Sequence, residues 1–308
     1  MPEIATRRLP TGLQYEITHG SARAVIGSVA AVRREFSVDG KHYTEVWDDA
    51  LPSPYGCGIV LVPWPNRIRD GVWTLDGKPQ KLDLSDRSNN AASHGLLRNT
   101  SYELVEVDES SVTLGAAIYP QHGYPFILDT TVTYRLADDG LHVTHRIANV
   151  GADRAPFGIG AHPYLRVGET PIKDLRITLD GDSYFELDDN KIPTGTASVE
   201  GTGVDLRDGV RIDAISLDAC YTDIRPTGEH YTATLTSPDG SGLVMWGEEP
   251  FSYIQVFTPR DFPGRELTVA VEPMTCPANA FNTGEGLRWL EPGETFEASW
   301  GLRPVQQV

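Results

Sequence analysis

The chain has 308 residues, 40% hydrophobic and 22% charged, a composition that allows a large buried core and excludes an intrinsically disordered chain. Its 43 acidic and 26 basic residues leave a formal charge of -17; so acidic a surface repels phosphate backbones and anionic lipid and argues against nucleic acid and membrane as partners.

From the N-terminus, Met1-Pro2-Glu3-Ile4-Ala5-Thr6-Arg7-Arg8 lacks the charged-then-apolar pattern of a secretory signal. No later apolar run approaches the roughly 20 residues of a membrane span. Cys57, Cys220 and Cys276 are widely spaced, without a CxxC. They are expected to be free thiols in a reducing cytoplasm.

The first segment with chemistry to offer is Pro63-Trp64-Pro65-Asn66-Arg67-Ile68-Arg69-Asp70. Its amide and guanidinium groups can hydrogen-bond a polyol and its indole can stack on one, although a rigid surface turn has the same composition. Next comes Asn89-Asn90-Ala91-Ala92-Ser93-His94-Gly95, a polar, turn-rich stretch that puts His94 immediately before an expected strand. Alternation then marks strands at 111–119 and 130–136, and a turn at Asp138-Asp139-Gly140 leads into a third at 141–147. In that run Leu141, Val143, His145 and Ile147 share a face.

Small residues precede His162 in Gly158-Ile159-Gly160-Ala161-His162-Pro163-Tyr164, and Pro163 restricts His162 to an extended backbone. A side chain held rigidly at a strand end is expected there. Further strands are predicted at 174–179, 231–237, 242–246, 253–258, 267–273 and 294–301, whereas 182–189 and 201–209 read as acidic, solvated loops. Their spacing does not match a calcium loop, and no metal is expected. Glu272 ends the apolar run 267–271. It is either a strand-end carboxylate capping neighbouring backbone or a buried one whose raised pKa suits a base near neutrality.

With 30 glycines and 22 prolines spread along the chain, long helices are not expected. No glycine-rich nucleotide loop and no Gly-x-Ser-x-Gly elbow occurs. The expected architecture is all-β, one large antiparallel domain over residues 1–308.

Taken in order, these segments resemble the aldose 1-epimerase (galactose mutarotase-like) family. Asn66-Arg67-Ile68 followed by Leu75-Asp76-Gly77, Asn90 to Gly95, Ala161-His162-Pro163-Tyr164-Leu165, Leu217-Asp218, and Val271-Glu272-Pro273 with Pro277-Ala278-Asn279 are similar to its five motifs. Three departures stand out: Leu96 where the family has a second glycine, Ala161 where it has asparagine, and Pro-Ala-Asn where it has Pro-Asp-Ala. They bear on which sugar is bound more than on the reaction. The resemblance implies a large twisted β-sandwich that interconverts the α and β anomers of a free hexose without a cofactor. It implies Glu272 as base, His162 as acid and His94 beside the ring oxygen, with Asn66, Arg67 and Asp218 positioning hydroxyls, in a monomer or homodimer. Two alternatives stay open. An anionic sugar, a hexose 6-phosphate or a sulfonated hexose, is raised by Arg98 near His94, with Arg69 and Arg87 as further cations, although these arginines can equally pair with surface acids. A carbohydrate-binding protein without turnover would not need the acid–base set.

Overall fold

Runs of alternating burial organise the chain into antiparallel sheets, seen in a computed structural model that describes residues 8–306. The signal-peptide reading of the first eight residues falls almost wholly outside them. The largest sheet has nine strands. At its centre Gly140–Asn149 pairs with Leu128–Ala137 on one side and Thr295–Val305 on the other. Leu141, Val143, His145 and Ile147 are buried and the residues between them mostly are not, as a two-residue side-chain period requires. The buried His145 imidazole is satisfied by the Trp300 indole N–H, which donates to Nε2 at 3.0 Å.

A second sheet has eight strands. Its core is the antiparallel run Asp218–Ile224, Tyr253–Phe257 and Val269–Met274, extended by the short strands Gly160–Ala161 and Val60–Leu61. Inward-facing residues of both large sheets, among them Leu114, Val143, Leu243, Val256 and Val271, belong to one continuous hydrophobic cluster. The arrangement is a β-sandwich. A four-stranded sheet, Gln14–His19 to Lys41–His42, adds Ile17, Ile26 and Phe36 to the same cluster. Among the described residues the only α-helix is Ala280–Thr283, and no helix is long and apolar enough to cross a membrane.

Three expectations are corrected. Gly181–Leu187 is a strand paired on both edges, so most of the stretch read as an acidic loop is in the sheet; its acids alternate onto the solvated side. Glu272 sits within Val269–Met274 rather than at the end of a strand, because pairing with Tyr253–Phe257 continues past it to Met274. His94 follows the short strand Ala91–Ser93 instead of preceding one.

Candidate active site

The floor of the site is one face of the eight-stranded sheet. Along Val269–Met274, Val269 and Val271 face the main core, so Glu272 emerges on the opposite face. Gln255 lies directly across the ladder from Glu272, and Asp218 pairs with Phe257 one strand further on. Strand pairing thus gathers Glu272, Gln255 and Asp218 on a single surface. Gln255 donates from Nε2 to Asp218 Oδ1 at 2.7 Å and accepts from Asn66 Nδ2 at 3.4 Å.

His162 reaches this floor from the neighbouring backbone. Gly160 pairs with Met274 and Tyr164 with Ala270, which sets the intervening His162 opposite Glu272. Its own N–H donates to the Ile59 carbonyl, and its carbonyl accepts from Gly58 N–H. The approach is so close that a Cβ on Gly158 would lie 2.3 Å from Cys276 Sγ. The His162 ring stacks on Tyr164, with centroids 5.2 Å apart and planes 4° from parallel, and meets His94 edge-on at 5.4 Å. His94 has a left-handed backbone, φ 62°, held by its N–H donating to the Asn66 carbonyl. Gly95 cannot carry a side chain, since a Cβ would lie 2.0 Å from the Val62 carbonyl oxygen.

The six residues singled out in the sequence, Asn66, Arg67, His94, His162, Asp218 and Glu272, all line one cavity of about 430 Å³. His162 and Glu272 are buried at its base with Nε2 and Oε1 3.5 Å apart. Glu272 Oε2 and the Nδ1 atoms of both histidines have no hydrogen-bond partner among the described residues. Burial, with Asp218 adding to it and Arg67 opposing, pushes the Glu272 carboxyl well above the usual carboxylate range. Burial pushes His162 down to about 3, with the Arg98 and Arg67 charges acting the same way. His94 is lowered by burial and by His162, Arg98 and Arg67. Desolvation therefore disfavours both charged forms of the carboxylate–imidazole pair.

Arg67 is clamped by Asp86, whose Oδ2 accepts from Nε at 2.8 Å. Burial raises Asp86, but hydrogen bonds from Arg67 and Asn89 outweigh it and hold the carboxyl below its ordinary range. Asn279, in the tail motif, lies outside the cavity lining. Its N–H donates to the Arg67 carbonyl and its Oδ1 accepts from Arg69 N–H, which braces the Arg67 strand.

Trp64 is not available to stack on a sugar: it is 2% exposed and packs against Tyr124 and Phe281. Tyr55 and Phe257 supply the aromatic surface instead. Arg69 is also absent from the lining, being paired with Asp188 at 2.6 Å, whereas Arg87 and Arg98 are part of it. Gln255 and Asp86 escaped the sequence reading. A lone amide in the otherwise apolar run Tyr253–Phe257 was the available signal for Gln255; Asp86, in a polar loop, gave none. Among the described residues no group of three or more His, Cys, Asp or Glu is arranged to hold a metal ion.

A carboxyl and an imidazole buried side by side under a cavity lined largely by polar side chains can move protons on a small polar molecule. Residues 14–303 match the model of the aldose 1-epimerase family. The chain belongs to that family. As an aldose 1-epimerase family member it is an isomerase acting on carbohydrates. It is 32% identical over 286 residues to the uncharacterized protein YihR of Escherichia coli, covering 92% of this chain and 91% of that one. The pig galactose mutarotase is 32% identical over 178 residues, which span 55% of this chain and 50% of the mutarotase. In fold, the chain superposes on a galactose mutarotase-like protein from Clostridium acetobutylicum with a TM-score of 0.86, at 17% identity and over 99% and 98% of the two chains.

Proposed function

We propose that the protein interconverts the α and β anomers of a hexose free at C1, with Glu272 as base, His162 as acid and His94 beside the ring oxygen. The observation that carries this reading is the buried carboxylate–imidazole pair, 3.5 Å apart, at the base of the cavity. Glu272 takes the proton of the C1 hydroxyl as the O1 electrons form a carbonyl. The C1–O5 bond breaks, its electron pair goes to O5, and His162 delivers a proton there. Rotation about C1–C2 turns the other face of the carbonyl towards O5, and the reverse transfers close the ring. The proton inventory balances on these two side chains.

At rest the pair's one proton sits on Glu272, so ring opening starts from the tautomer in which that proton has passed to His162, carboxylate and imidazolium, and ends in the neutral pair. Burial drives the pair in that direction, since it raises Glu272 and lowers His162. Desolvation thus disfavours the charged tautomer and favours the neutral pair that ring opening regenerates. Holding a substrate hydroxyl needs an acceptor, and Glu272 Oε2 is free of protein partners. Asn66, Arg67, Gln255 and Asp218 orient the remaining hydroxyls, and each correctly positioned acid or base contributes about 100- to 10,000-fold.

Anomer exchange followed by NMR or polarimetry, above the uncatalysed rate, tests the assignment. Glu272→Gln and His162→Asn should each lower kcat by about 100- to 10,000-fold while the folded variant still binds sugar. Full activity in either variant removes that residue from the mechanism.

A further inference from the structure

The charges around the cavity are unevenly matched. Arg67 is paired with Asp86, and Arg69, outside the cavity, with Asp188. Arg98, half-buried in the cavity wall, has no carboxylate within ion-pair distance among the described residues. Among the described residues its one hydrogen bond is a long one, Nη1 donating to the Ser93 carbonyl at 3.4 Å. Asp86 attracts it from a distance, but Asp86 Oδ2 accepts from both Arg67 and Asn89. Arg87, at the exposed rim of the same cavity, also forms no ion pair among the described residues. In a chain with 43 acidic residues a counterion would have been easy to supply. A guanidinium left partly desolvated in a cavity wall is instead set up to receive an anion from solution, with a planar fork suited to two oxygens at once.

The place of Arg98 relative to the acid says where on a sugar that anion belongs. Arg98 is four residues after His94, and its charge is felt at both His94 and His162. In the reaction proposed above, the ring oxygen lies against these histidines. The ring oxygen is bonded to C5, and C5 carries the exocyclic C6, so the C6 substituent lies on the histidine side of the ring. We propose that Arg98, with Arg87 at the rim, forms a subsite for a negatively charged group on C6, and that the substrate is an anionic aldose. The proposal rests on the ring-opening reading for the direction in which the sugar lies. Carboxylate, phosphate and sulfonate share the required chemistry. A bound anion also offsets the positive potential that Arg98 exerts on His162, which favours the protonated imidazole that the acid step requires.

The test compares the rate of anomer exchange, in excess of the uncatalysed rate, for a neutral hexose and its 6-carboxylate, 6-phosphate and 6-sulfonate forms, in both the gluco and galacto series. At least one anionic form is expected to exceed its neutral parent about tenfold or more in kcat/KM, and the best arm identifies the anion. Arg98→Gln should cut that anionic-to-neutral ratio by about 10- to 100-fold, the scale of losing charge-assisted hydrogen bonds. Arg98→Lys, which keeps the charge, should retain most of the ratio. Neutral hexoses turned over as well as all three anionic forms, or a ratio unchanged by Arg98→Gln, overturns the subsite. Calorimetry on Glu272→Gln separates the two claims, because an anionic preference in Kd does not depend on turnover. Full turnover in Glu272→Gln would instead overturn the ring-opening reading, whatever the binding ratio.

Discussion

Replacing Glu272 with glutamine should inactivate the enzyme and stabilise it, by an amount that grows with pH. The side chain is 3% exposed, and burial raises its pKa well above the 4.5 of a free glutamate. A group whose folded pKa is raised contributes stability that is fully present below its unfolded pKa and is lost as pH rises towards the folded value. Between those limits the native state holds a proton that the unfolded chain has released, and each pH unit costs about 1.4 kcal/mol. From pH 4.5 to pH 7 the wild type therefore loses up to about 3 kcal/mol that a glutamine, which does not titrate, keeps. For a chain of this length that is a rise in Tm of roughly 2 to 6 °C at pH 7, shrinking to nothing near pH 4.5. Differential scanning calorimetry of both proteins from pH 4.5 to 8, with anomer exchange measured alongside, checks it. A variant less stable than wild type at pH 7, or a Tm difference that does not change with pH, would refute the claim that Glu272 is held protonated by burial.

The pH dependence of kcat/KM should be flat through the region where an ordinary histidine titrates. The working state carries one proton across His162 and Glu272; activity falls on the acid side when His162 takes a second proton, near its lowered value of about 3, and on the alkaline side when Glu272 loses the one it holds. An inflection close to 6.5 would show that the pair does not share its proton. Asp86→Asn should release the Arg67 guanidinium and raise KM several-fold with a smaller effect on kcat, as expected for a group that orients bound hydroxyls; an unchanged KM would remove the clamp from the binding site. Gly95→Ala should destabilise by at least about 1 to 2 kcal/mol from the left-handed backbone alone, with more from the 2.0 Å approach to the Val62 oxygen, measured by denaturant unfolding.

Much of the scaffold is legible in the chain because strand signals are local. Alternation with a period of two marked the hairpin Leu128–Ala137 and Gly140–Asn149, and it set Leu141, Val143, His145 and Ile147 on the buried face. It failed at Gly181–Leu187, where acidic residues on the solvated side of a strand look like a loop. The stacking role read for Trp64 fails for another reason: its place against Tyr124 and Phe281 depends on segments far along the chain.

By itself the sequence determined the all-β character and supplied His94 in a polar turn, His162 fixed by the following proline, and Glu272 at the end of an apolar run. Neither spacing nor composition could say that these three residues meet. The tertiary structure decided that, because strand register carries Gly160 to Met274 and Tyr164 to Ala270 and so turns His162 onto Glu272. The same folding neutralises Arg67 and Arg69 with Asp86 and Asp188 and leaves Arg98, among the described residues, without a carboxylate within ion-pair distance. Which charges cancel depends on distances between side chains remote in sequence, and those distances exist only once the sheets have paired.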